Sequence, residues 1–280
     1  NSRVESEKKR RILSLFLDST FHELTCFVRP RLVTFDVTGT LLMTKLEEHY
    51  VEIGSQHGLS IDSRKVARSF KNSFRRLSLE HPIYGKHTGI GWKNWWRRIK
   101  GPLTKLSSTI DDLIYRYDLQ VANSLIKCYS TSMCWHKYPG TIELLEFLRE
   151  KGLILGVISN FDERLEGILL DTNIRFYFSF VLTSYGYGVE KPDASIFNEA
   201  LRLTKEGCSV DIAPEEAVHI GDNVKNDYIG AKTANWNALL MRHGNDIINE
   251  HEVPKKDIFT NYQDLQAHFS ALLDRDTKHE

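Results

Sequence analysis

The sequence predicts an α/β fold, with a doubly wound parallel sheet and a helical domain inserted into it. Five short apolar runs have the length and composition of buried strands. From the second run onward they alternate with helical periodicities, the pattern of a parallel sheet covered on both faces. More than a hundred residues separate the first run from the second, too many for a single crossover. The runs cover residues 32–35, 153–159, 178–183, 217–220 and 238–241.

Helices are predicted between the later strands. Residues 141–151 repeat apolar side chains at helical spacing and are followed by Gly152, a residue typical of helix C-termini. Residues 162–170 and 195–203 show the same periodicity. Ligands of such sheets bind at the carboxyl ends of the strands. The residues that follow each strand are therefore the candidates for function.

The long interval after the first strand predicts a separate domain. Its pattern is mostly helical, rich in Arg, Lys and aromatic residues, with breaks at Gly and Pro. A Tyr-Pro-Gly sequence at 138–140 marks the return to the sheet. We expect an N-terminal extension over 1–30, a core from 31–43 and 138–270, a helical cap over 44–137 and a polar tail over 271–280.

Charge and hydropathy argue against two classes of partner, although local charged patches stay open. The 37 basic and 37 acidic side chains give a net charge of zero, which argues against a nucleic-acid-binding surface. No apolar stretch approaches the ~18–20 residues that a bilayer span needs, so no membrane partner is expected. The basic run at 8–11 is either a weak nuclear signal or, as we expect, a solvated charge run.

Cysteine usage predicts a reducing compartment. The four cysteines form no C-x-x-C pair and show no zinc-ligand spacing, so we expect buried, reduced thiols. This favours an intracellular, cytoplasmic protein and leaves the mitochondrion and nucleus open. Because the sequence opens on Asn1, a cleaved targeting segment upstream is also left open. The cysteines are Cys26, Cys128, Cys134 and Cys208.

Four strand ends carry reactive groups. Asp36 directly follows the first strand and precedes a Gly-Thr turn, a position suited to nucleophilic attack. The second strand ends in Ser159 and Asn160, and Lys191 stands in a Glu-Lys-Pro-Asp segment beyond the third. The fourth strand leads into a Gly-Asp-Asn sequence, and an Asn-Asp pair follows after two intervening residues. The acidic residues of this last segment are Asp222 and Asp227.

These four motifs, in this order over residues 31 to about 245, resemble the haloacid-dehalogenase-like hydrolase superfamily. The helical insertion after the first motif resembles the type-1 cap of that superfamily. The resemblance implies a Rossmann-like core under a helical cap. Residues 157–166, 180–184 and 191–193 look like the subgroup of the rhythmically expressed gene 2 and haloacid-dehalogenase-like hydrolase domain-containing 3 proteins, as do the paired tryptophans at 95–96.

The resemblance implies phosphoryl transfer assisted by Mg²⁺, a cation that prefers oxygen ligands. A phosphoryl group brings negative charge toward an anionic nucleophile, so the site must cancel their repulsion. Asp36 would give one carboxylate oxygen to the metal and attack with the other. The Thr38 carbonyl and the Asp222 carboxylate would complete the protein ligands.

The remaining motif residues would support that chemistry. Lys191 offers a compact positive charge to the phosphoryl oxygens and to Asp36. Asp227 would orient metal-bound water or Lys191 from outside the ligand shell. Ser159, Asn160 and nearby backbone N–H groups would bind a phosphoryl oxygen. The histidine two residues before the fourth motif, His219, is expected to be a strand residue outside the site.

Thr38 departs from the pattern of the family's phosphatases, in which a second aspartate protonates the leaving oxygen and activates water. Such acid–base help is worth about 10²–10⁴ in rate, and threonine cannot supply it. Three hypotheses follow. The protein is a slow, Mg²⁺-dependent phosphatase or phosphotransferase; or a catalytically impaired module that binds a phosphorylated ligand or a protein partner; or a metal-free dehalogenase. The pair Asp222 and Asp227 makes the dehalogenase the weakest of these.

A cap closing over the site would select the substrate and exclude water, which favours small phosphorylated metabolites over proteins. Alternatively, the tryptophans of the cap belong to its own core. The aromatic and basic mixture at 92–98 also suggests stacking on a nucleotide base. The sequence does not identify the substrate. The candidates for the inner face of the cap are Tyr84, His87, Trp92, Lys93 and Trp96.

Overall fold

The computed structural model of the protein describes residues 28–99, 111–244 and 253–274, with side chains of the helix at 111–118 not described. The predictions for residues 1–27, including the basic run and Cys26, lie outside the described residues. So does the tail beyond 274. The expected division of the chain into domains stays a prediction.

A parallel sheet forms the centre of the described structure. Its six strands lie in the order β5-β4-β1-β6-β7-β8, so β1 lies between β4 and β6, with Phe35 beside Val157 and Ile220. This order confirms the predicted α/β fold, and five of the strands lie within a residue or two of the predicted runs. The strands are β1 (Leu32–Phe35), β4 (Ile154–Ser159), β5 (Phe180–Thr183), β6 (Ala217–Gly221), β7 (Asn237–Met241) and β8 (Ile258–Phe259).

Helices cover both faces of the sheet. One apolar cluster joins Phe35 and Val157 to Leu144 and Phe269, and another joins Leu32 and Ile158 to the opposite helices. The core helices are Thr141–Glu150, Leu165–Asp171, Ala194–Cys208 and Tyr262–Leu273, with single turns at Ser184–Tyr187 and Gly230–Thr233 and a π-helix at Val224–Ile229. Short 3₁₀ turns cover Ser132–Cys134, Arg175–Tyr177, Pro214–Glu216 and Lys255–Asp257.

Local sequence explains where two of these helices begin and end. Gly152 has φ +77° beyond the helix Thr141–Glu150, and Leu153 N–H closes that end by donating to Leu148. Asp193 caps the helix Ala194–Cys208, since its carboxylate accepts a hydrogen bond from Ser195 N–H at 2.9 Å. That helix runs five residues beyond its predicted end.

The helical insertion, residues 44–137, leaves and re-enters the core at neighbouring points. Strand β2 (Leu42–Met43) pairs antiparallel with β3 (His136–Lys137), so Leu42 lies beside Lys137. Between them, Leu77, Tyr84, Trp95 and Ile99 form a separate apolar cluster. The helices of the insertion are Leu46–Gln56, Ser63–Glu80, Gly91–Arg97 and Asp111–Cys128, with a short turn at Pro82–Gly85 in which Ile83 and Tyr84 have positive φ.

The expectation of reduced cysteines is wrong for two of the four. Cys128 and Cys134 form a disulfide. The chain turns back directly after the helix Asp111–Cys128, which brings their Cα atoms to 5.8 Å, within the range that a disulfide spans. Cys208 is a half-buried free thiol. The prediction of a reducing compartment therefore loses much of its basis. Among the described helices, none has the length and apolar character needed to cross a membrane.

Candidate active site

The predicted nucleophile lies at the centre of the sheet's carboxyl edge. Asp36 follows β1, and its N–H donates to the Ile220 carbonyl of β6 at 2.9 Å. Its carboxylate is buried, which raises its pKa, and the Ser159 side chain at the end of β4 lies near enough to oppose that rise. Because β1 lies between β4 and β6, the residues that end these strands converge on one point. The structure thus brings Asp36 and Ser159 together, as the sequence predicted.

Lys191 is the positive charge of this site. Its side chain is fully buried, with Nζ 2.9 Å from Asp36 Oδ1 and 2.6 Å from Asp227 Oδ1. Nζ also donates to the Ile158 carbonyl at 2.6 Å. Burial alone would lower the pKa of Lys191, but the charges of Asp227 and Asp36 raise it above its ordinary value. Lys191 therefore stays protonated next to the nucleophile.

Asn160 holds Lys191 in place. Its side-chain Nδ2 donates to the Lys191 carbonyl at 2.9 Å, and its Oδ1 accepts from Lys191 N–H at 2.8 Å. This pair of bonds fixes the backbone of a lysine that lies 31 residues away in sequence. The visible role of Asn160 is to position Lys191. Its predicted contact with a substrate stays a prediction.

Asp222 lies against the loop that follows Asp36. A Cβ on Gly39, which has φ +82°, would lie only 2.3 Å from Asp222 Oδ2. The glycine is thus required both by its backbone conformation and by the carboxylate packed on it. Thr38, next to this glycine, is exposed. Asp36, Thr38 and Asp222 therefore lie on one short stretch of the sheet edge.

The carboxylates of this edge are short of positive charge. Burial raises the pKa of Asp36 to about 6, opposed by Lys191 and reinforced by the charge of Asp227. Burial, with the negative charges of Asp36 and Asp227, raises the pKa of Asp222 to about 7. A buried and a half-buried carboxylate with raised pKa values fit a site that gains a cation. Lys191 alone does not neutralise them.

The donor set suits Mg²⁺ better than a transition metal. No group of three or more His, Cys, Asp or Glu side chains in the described residues is arranged to hold a metal. Two carboxylates and a backbone carbonyl are all-oxygen ligands, and Mg²⁺ commonly binds through one or two carboxylates while keeping several waters. Asp36, Asp222 and the Thr38 carbonyl fit that requirement.

His219 belongs to the site, contrary to the sequence-based expectation. It is fully buried in β6, with Nε2 3.2 Å from Asp227 Oδ1 and Nδ1 2.9 Å from the Thr34 hydroxyl. Burial, reinforced by Lys191, lowers the pKa of His219 to about 4, so the ring is neutral at pH 7. Nε2–H then donates to Asp227, and Nδ1 accepts from Thr34. A histidine inside an apolar strand needs polar partners. This requirement was the sequence signal that could have placed His219 in the site.

Asp227 is the fixed negative charge of the cluster. Burial alone would raise its pKa, but Lys191 and the hydrogen bond from His219 hold the pKa well below its usual range. Its second oxygen accepts from Asn223 N–H at 2.9 Å. Asp227 therefore stays ionised and holds Lys191, which matches its predicted place behind the reacting groups.

A cavity of about 520 Å³ lies between the helical insertion and the core. Thr38 and Asn160 line it, so it adjoins the carboxylate and lysine site. Phe161 and Arg164, which follow β4, also line it, and the rest of the described lining comes from the insertion. The strand-end site therefore opens toward a space that the insertion encloses.

The prediction for the inner face of the insertion is partly wrong. Tyr84 and Trp96 line the cavity, but His87, Trp92 and Lys93 do not. His87 bonds to the Gly188 carbonyl at 2.8 Å, and Trp92 donates to the exposed Glu163 at 2.7 Å. The loop carrying His87 follows the core surface at 184–188 rather than entering the cavity. The neighbouring Trp95 is buried in the insertion's own core, as the alternative interpretation expected.

Several direct hydrogen bonds join the insertion to the segment after β4. Tyr84 OH donates to the Asn160 carbonyl at 2.6 Å, and Trp96 Nε1 donates to Asp162 Oδ2 at 2.6 Å. Asp162 also forms a buried, bidentate ion pair with Arg164. The Arg164 guanidinium lies 4.9 Å from the Trp96 ring centre. The segment that supplies Ser159 and Asn160 thus also supports the wall of the cavity.

A hydrolase is the class of protein that this fold and strand-end site define. A family model described as "haloacid dehalogenase-like hydrolase" matches residues 30–235. The chain is 36% identical to the rhythmically expressed gene 2 protein of Drosophila melanogaster, over 81% of this chain and 92% of that one. It is 34% identical to the human haloacid dehalogenase-like hydrolase domain-containing protein 3, over 87% and 94%. The chain belongs to the haloacid dehalogenase-like hydrolase family.

Solved structures show the same fold. The HAD-hydrolase YfnB of Bacillus subtilis, described as bound to magnesium, superimposes with a TM-score of 0.59 at 15% identity. The match covers 86% of this chain and 99% of that one. At this identity the likeness concerns the fold.

Proposed function

We propose that the protein is a Mg²⁺-dependent phosphatase or phosphotransferase that works through an aspartyl-phosphate on Asp36. The observation that carries the proposal is the contact of 2.9 Å between Asp36 and the protonated, buried Lys191. A phosphoryl group arriving at Asp36 would meet this cation and a set of oxygen ligands for a metal. Asp36, Asp222 and the Thr38 carbonyl would hold Mg²⁺, which would withdraw negative charge from the phosphoryl oxygens.

The chain's own residues would carry the first step as follows. An Asp36 oxygen forms a bond to phosphorus while the bond from phosphorus to the leaving oxygen breaks. Lys191, kept in place by Asn160 and Asp227, offsets the charge that gathers on the phosphoryl oxygens. Ser159, beside Asp36, is placed to donate to one of these oxygens. Water then attacks phosphorus, and phosphate leaves Asp36.

Turnover is expected to be slow because acid–base help is missing. Thr38 stands where the family's phosphatases carry a second aspartate, and it is exposed to the cavity. The described lining of the cavity holds no Asp, Glu or His that could replace it. General acid–base catalysis is typically worth about 10²–10⁴ in rate. The same observation supports the second candidate function, a binding module for a phosphorylated ligand with little turnover.

The test is hydrolysis of phosphate esters with Mg²⁺ by the wild type, Asp36→Asn and Thr38→Asp. We expect slow hydrolysis by the wild type, loss of about 10⁴-fold or more in Asp36→Asn, and faster turnover in Thr38→Asp. Asp211→Asn, at an exposed ion pair far from the sheet edge, is the control for a carboxylate change. Folded proteins with no turnover in wild type or Thr38→Asp would favour the binding module.

A further inference from the structure

The walls of the cavity are unusually aromatic. Eight of the nineteen described lining residues are aromatic and five are aliphatic. The described lining contains no carboxylate, and apart from its aromatic residues and three cations its polar members are Thr38, Thr44 and Asn160. The polar groups of Tyr84, Trp96, Tyr129 and Trp135 already have hydrogen-bond partners within the protein. A ligand with many hydroxyl groups would leave most of them without partners there, which is costly. Among the aromatic side chains are Tyr50, Phe70, Phe74, Trp96, Tyr129 and Trp135.

Several of these rings form one connected surface. The Trp96 ring is stacked near Phe70, with centroids 6.3 Å apart, and near Tyr84 at 5.9 Å. Phe74 lies edge-on to Tyr84 at 6.5 Å. Flat aromatic ligands gain offset-stacked and edge-to-face contacts on such a surface. The cavity volume of about 520 Å³ falls within the about 300–1,000 Å³ of pockets that hold drug-sized ligands.

The missing acid also discriminates between leaving groups. An alcohol leaves phosphorus poorly unless its oxygen is protonated, and Thr38 cannot give that proton. A phenol is far more acidic, with a pKa of about 10 like the tyrosine side chain. An aryl oxide therefore leaves as the anion, without a general acid. The cavity and Thr38 independently favour the same kind of substrate.

We propose that the substrate is an aryl phosphomonoester, whose large aromatic group occupies the cavity and whose phosphoryl group lies at Asp36. This assignment rests on the proposed function, whose substrate class it names. Asp36 Oδ forms the bond to phosphorus, the bond from phosphorus to the aryl oxygen breaks, and the aryl oxide takes its proton from water. Lys71 and Arg75, exposed and one turn apart on the helix Ser63–Glu80, favour a negatively charged substituent at the solvent side of the ring system.

The kinetic consequence is a burst. The first step needs no acid when an aryl oxide leaves, but the second step, hydrolysis of the phosphorylated Asp36, still lacks the base that activates water. The phenol is therefore released quickly until one equivalent per protein has formed, and slowly afterwards. Benzyl phosphate is similar in size to phenyl phosphate, but its leaving group is an alcohol and not a phenol. It should therefore show no such burst.

Two comparisons of substrates test the assignment in the wild type: a small against a large aryl ester, and the aryl esters against a sugar phosphate. Phenyl and 2-naphthyl phosphate have leaving groups of similar acidity and different size. We expect 2-naphthyl phosphate to have a kcat/KM about tenfold higher, the scale of a well-filled apolar pocket, and glucose 6-phosphate to be a poorer substrate than either. Equal kcat/KM for the two aryl esters, with glucose 6-phosphate as good, would overturn the assignment and leave the proposed phosphatase standing.

A variant that fills the cavity provides the second arm. Ala122 lines the cavity on the helix Asp111–Cys128, so Ala122→Trp should abolish the preference for 2-naphthyl over phenyl phosphate. Gln120→Trp puts the same side chain on an exposed position of that helix and should leave the preference unchanged. Equal preferences in the two variants, both folded by circular dichroism, would contradict the assignment.

Binding separates this assignment from the proposed function. Calorimetry with 2-naphthylphosphonate, which cannot be hydrolysed, needs no turnover. If no phosphate ester is hydrolysed but the phosphonate binds wild type and Gln120→Trp, and binds Ala122→Trp at least tenfold more weakly, the phosphatase proposal fails and the aryl site stands. Absence of phosphonate binding to the wild type would overturn the aryl site, whatever the activity.

Discussion

The strand-end cluster and the aromatic cavity are built on opposite principles, although they adjoin. In the cluster, Asp36, Lys191, Asp227 and His219 are buried and held by hydrogen bonds and ion pairs between neighbouring strands. The cavity is enclosed by side chains from helices and loops far apart in sequence, and most of them carry no charge. From this comparison we propose that the core sets the chemistry and the insertion sets the choice of substrate. Changes in each region should therefore have effects of different kinds.

The largest effect is expected from removing the buried cation. Lys191→Met leaves Asp36 and Asp227 as buried charges without their partner, a change that typically costs about 3–5 kcal/mol of folding free energy. The loss should shrink as the pH falls, because the two carboxylates can then become neutral. Urea unfolding at pH 7.5 and pH 5 measures it. Lys205→Met, at an exposed ion pair, should have little effect at either pH. Equal losses in the two variants would break the contrast between cluster and surface.

A second prediction concerns Mg²⁺ and pH. The raised pKa values, about 6 for Asp36 and about 7 for Asp222, mean that the metal-free folded state binds protons more tightly than the unfolded one. These two carboxyls therefore lower the stability as the pH rises from about 4 to about 7, and the lowered pKa of His219, about 4, offsets part of that loss. Since Mg²⁺ binds the ionised carboxylates, it should raise the Tm at pH 8 far more than at pH 5.5.

Asp222→Asn is the matching variant. It removes one ligand and one half-buried negative charge, so the Mg²⁺-dependent rise in Tm should fall to a small fraction of the wild-type shift. The metal-free variant should also lose less stability than the wild type between pH 5.5 and 8. An unchanged Mg²⁺ shift in Asp222→Asn would remove Asp222 from the metal site. Fluorescence-monitored melting with and without MgCl₂ is sufficient for both measurements.

A third prediction addresses the histidine within the cluster. His219→Leu leaves the buried Thr34 hydroxyl without its partner, while Asp227 Oδ1 loses one hydrogen bond and keeps its contact with Lys191. We expect a loss of about 1–3 kcal/mol, the usual cost of an unsatisfied buried polar group. The double variant with Thr34→Val should recover part of that loss, because no hydroxyl then remains unpaired. A double variant less stable than His219→Leu would show that Thr34 contributes only through packing.

The smallest effects are expected at the boundary between the two regions. Trp96→Phe removes a hydrogen bond to the fully buried Asp162, and Trp92→Phe removes one to the exposed Glu163. We expect about 1 kcal/mol for the first, because Arg164 still bonds both oxygens of Asp162, and well under 1 kcal/mol for the second, since an exposed carboxylate is rehydrated. Only Trp96→Phe should also raise the KM for an aryl phosphate. Similar losses of folding free energy in both variants would mean that the burial of Asp162 does not strengthen its hydrogen bond with Trp96.

The cluster was predictable because its residues follow strands, and parallel strands bring their carboxyl ends to one edge. That rule indicated the segments that carry Asp36, Ser159, Lys191, Asp222 and Asp227, while their catalytic roles came from the family resemblance and stay predictions. His219 was missed because it lies inside a strand, where its partners Thr34 and Asp227 come from sheet register and cannot be read from spacing. The sequence also gave no sign that Asn160 would serve the backbone of Lys191.

The cavity and the disulfide could not be predicted from the sequence, for a different reason. Which face of a helix points inward depends on how the helices of the insertion pack, and the aromatic residues are spread over the whole insertion. The loop at 85–91 turns through glycines with positive φ, and this carries His87 away from the site. The pairing of Cys128 with Cys134 depends on a turn that follows a helix end. Local sequence patterns predict neither the path of this loop nor the geometry of this turn.

The pairing of β2 with β3 makes the insertion a replaceable part. Its two ends lie side by side, with Met43 opposite His136, so the covalent connections to the core meet at one short ladder. The closure entropy of such a loop grows only slowly with its length. Another family member's insertion could be grafted at this ladder without rebuilding the sheet. Evolution or protein engineering could therefore change the substrate preference by replacing the insertion, while the residues of the strand-end cluster stay the same.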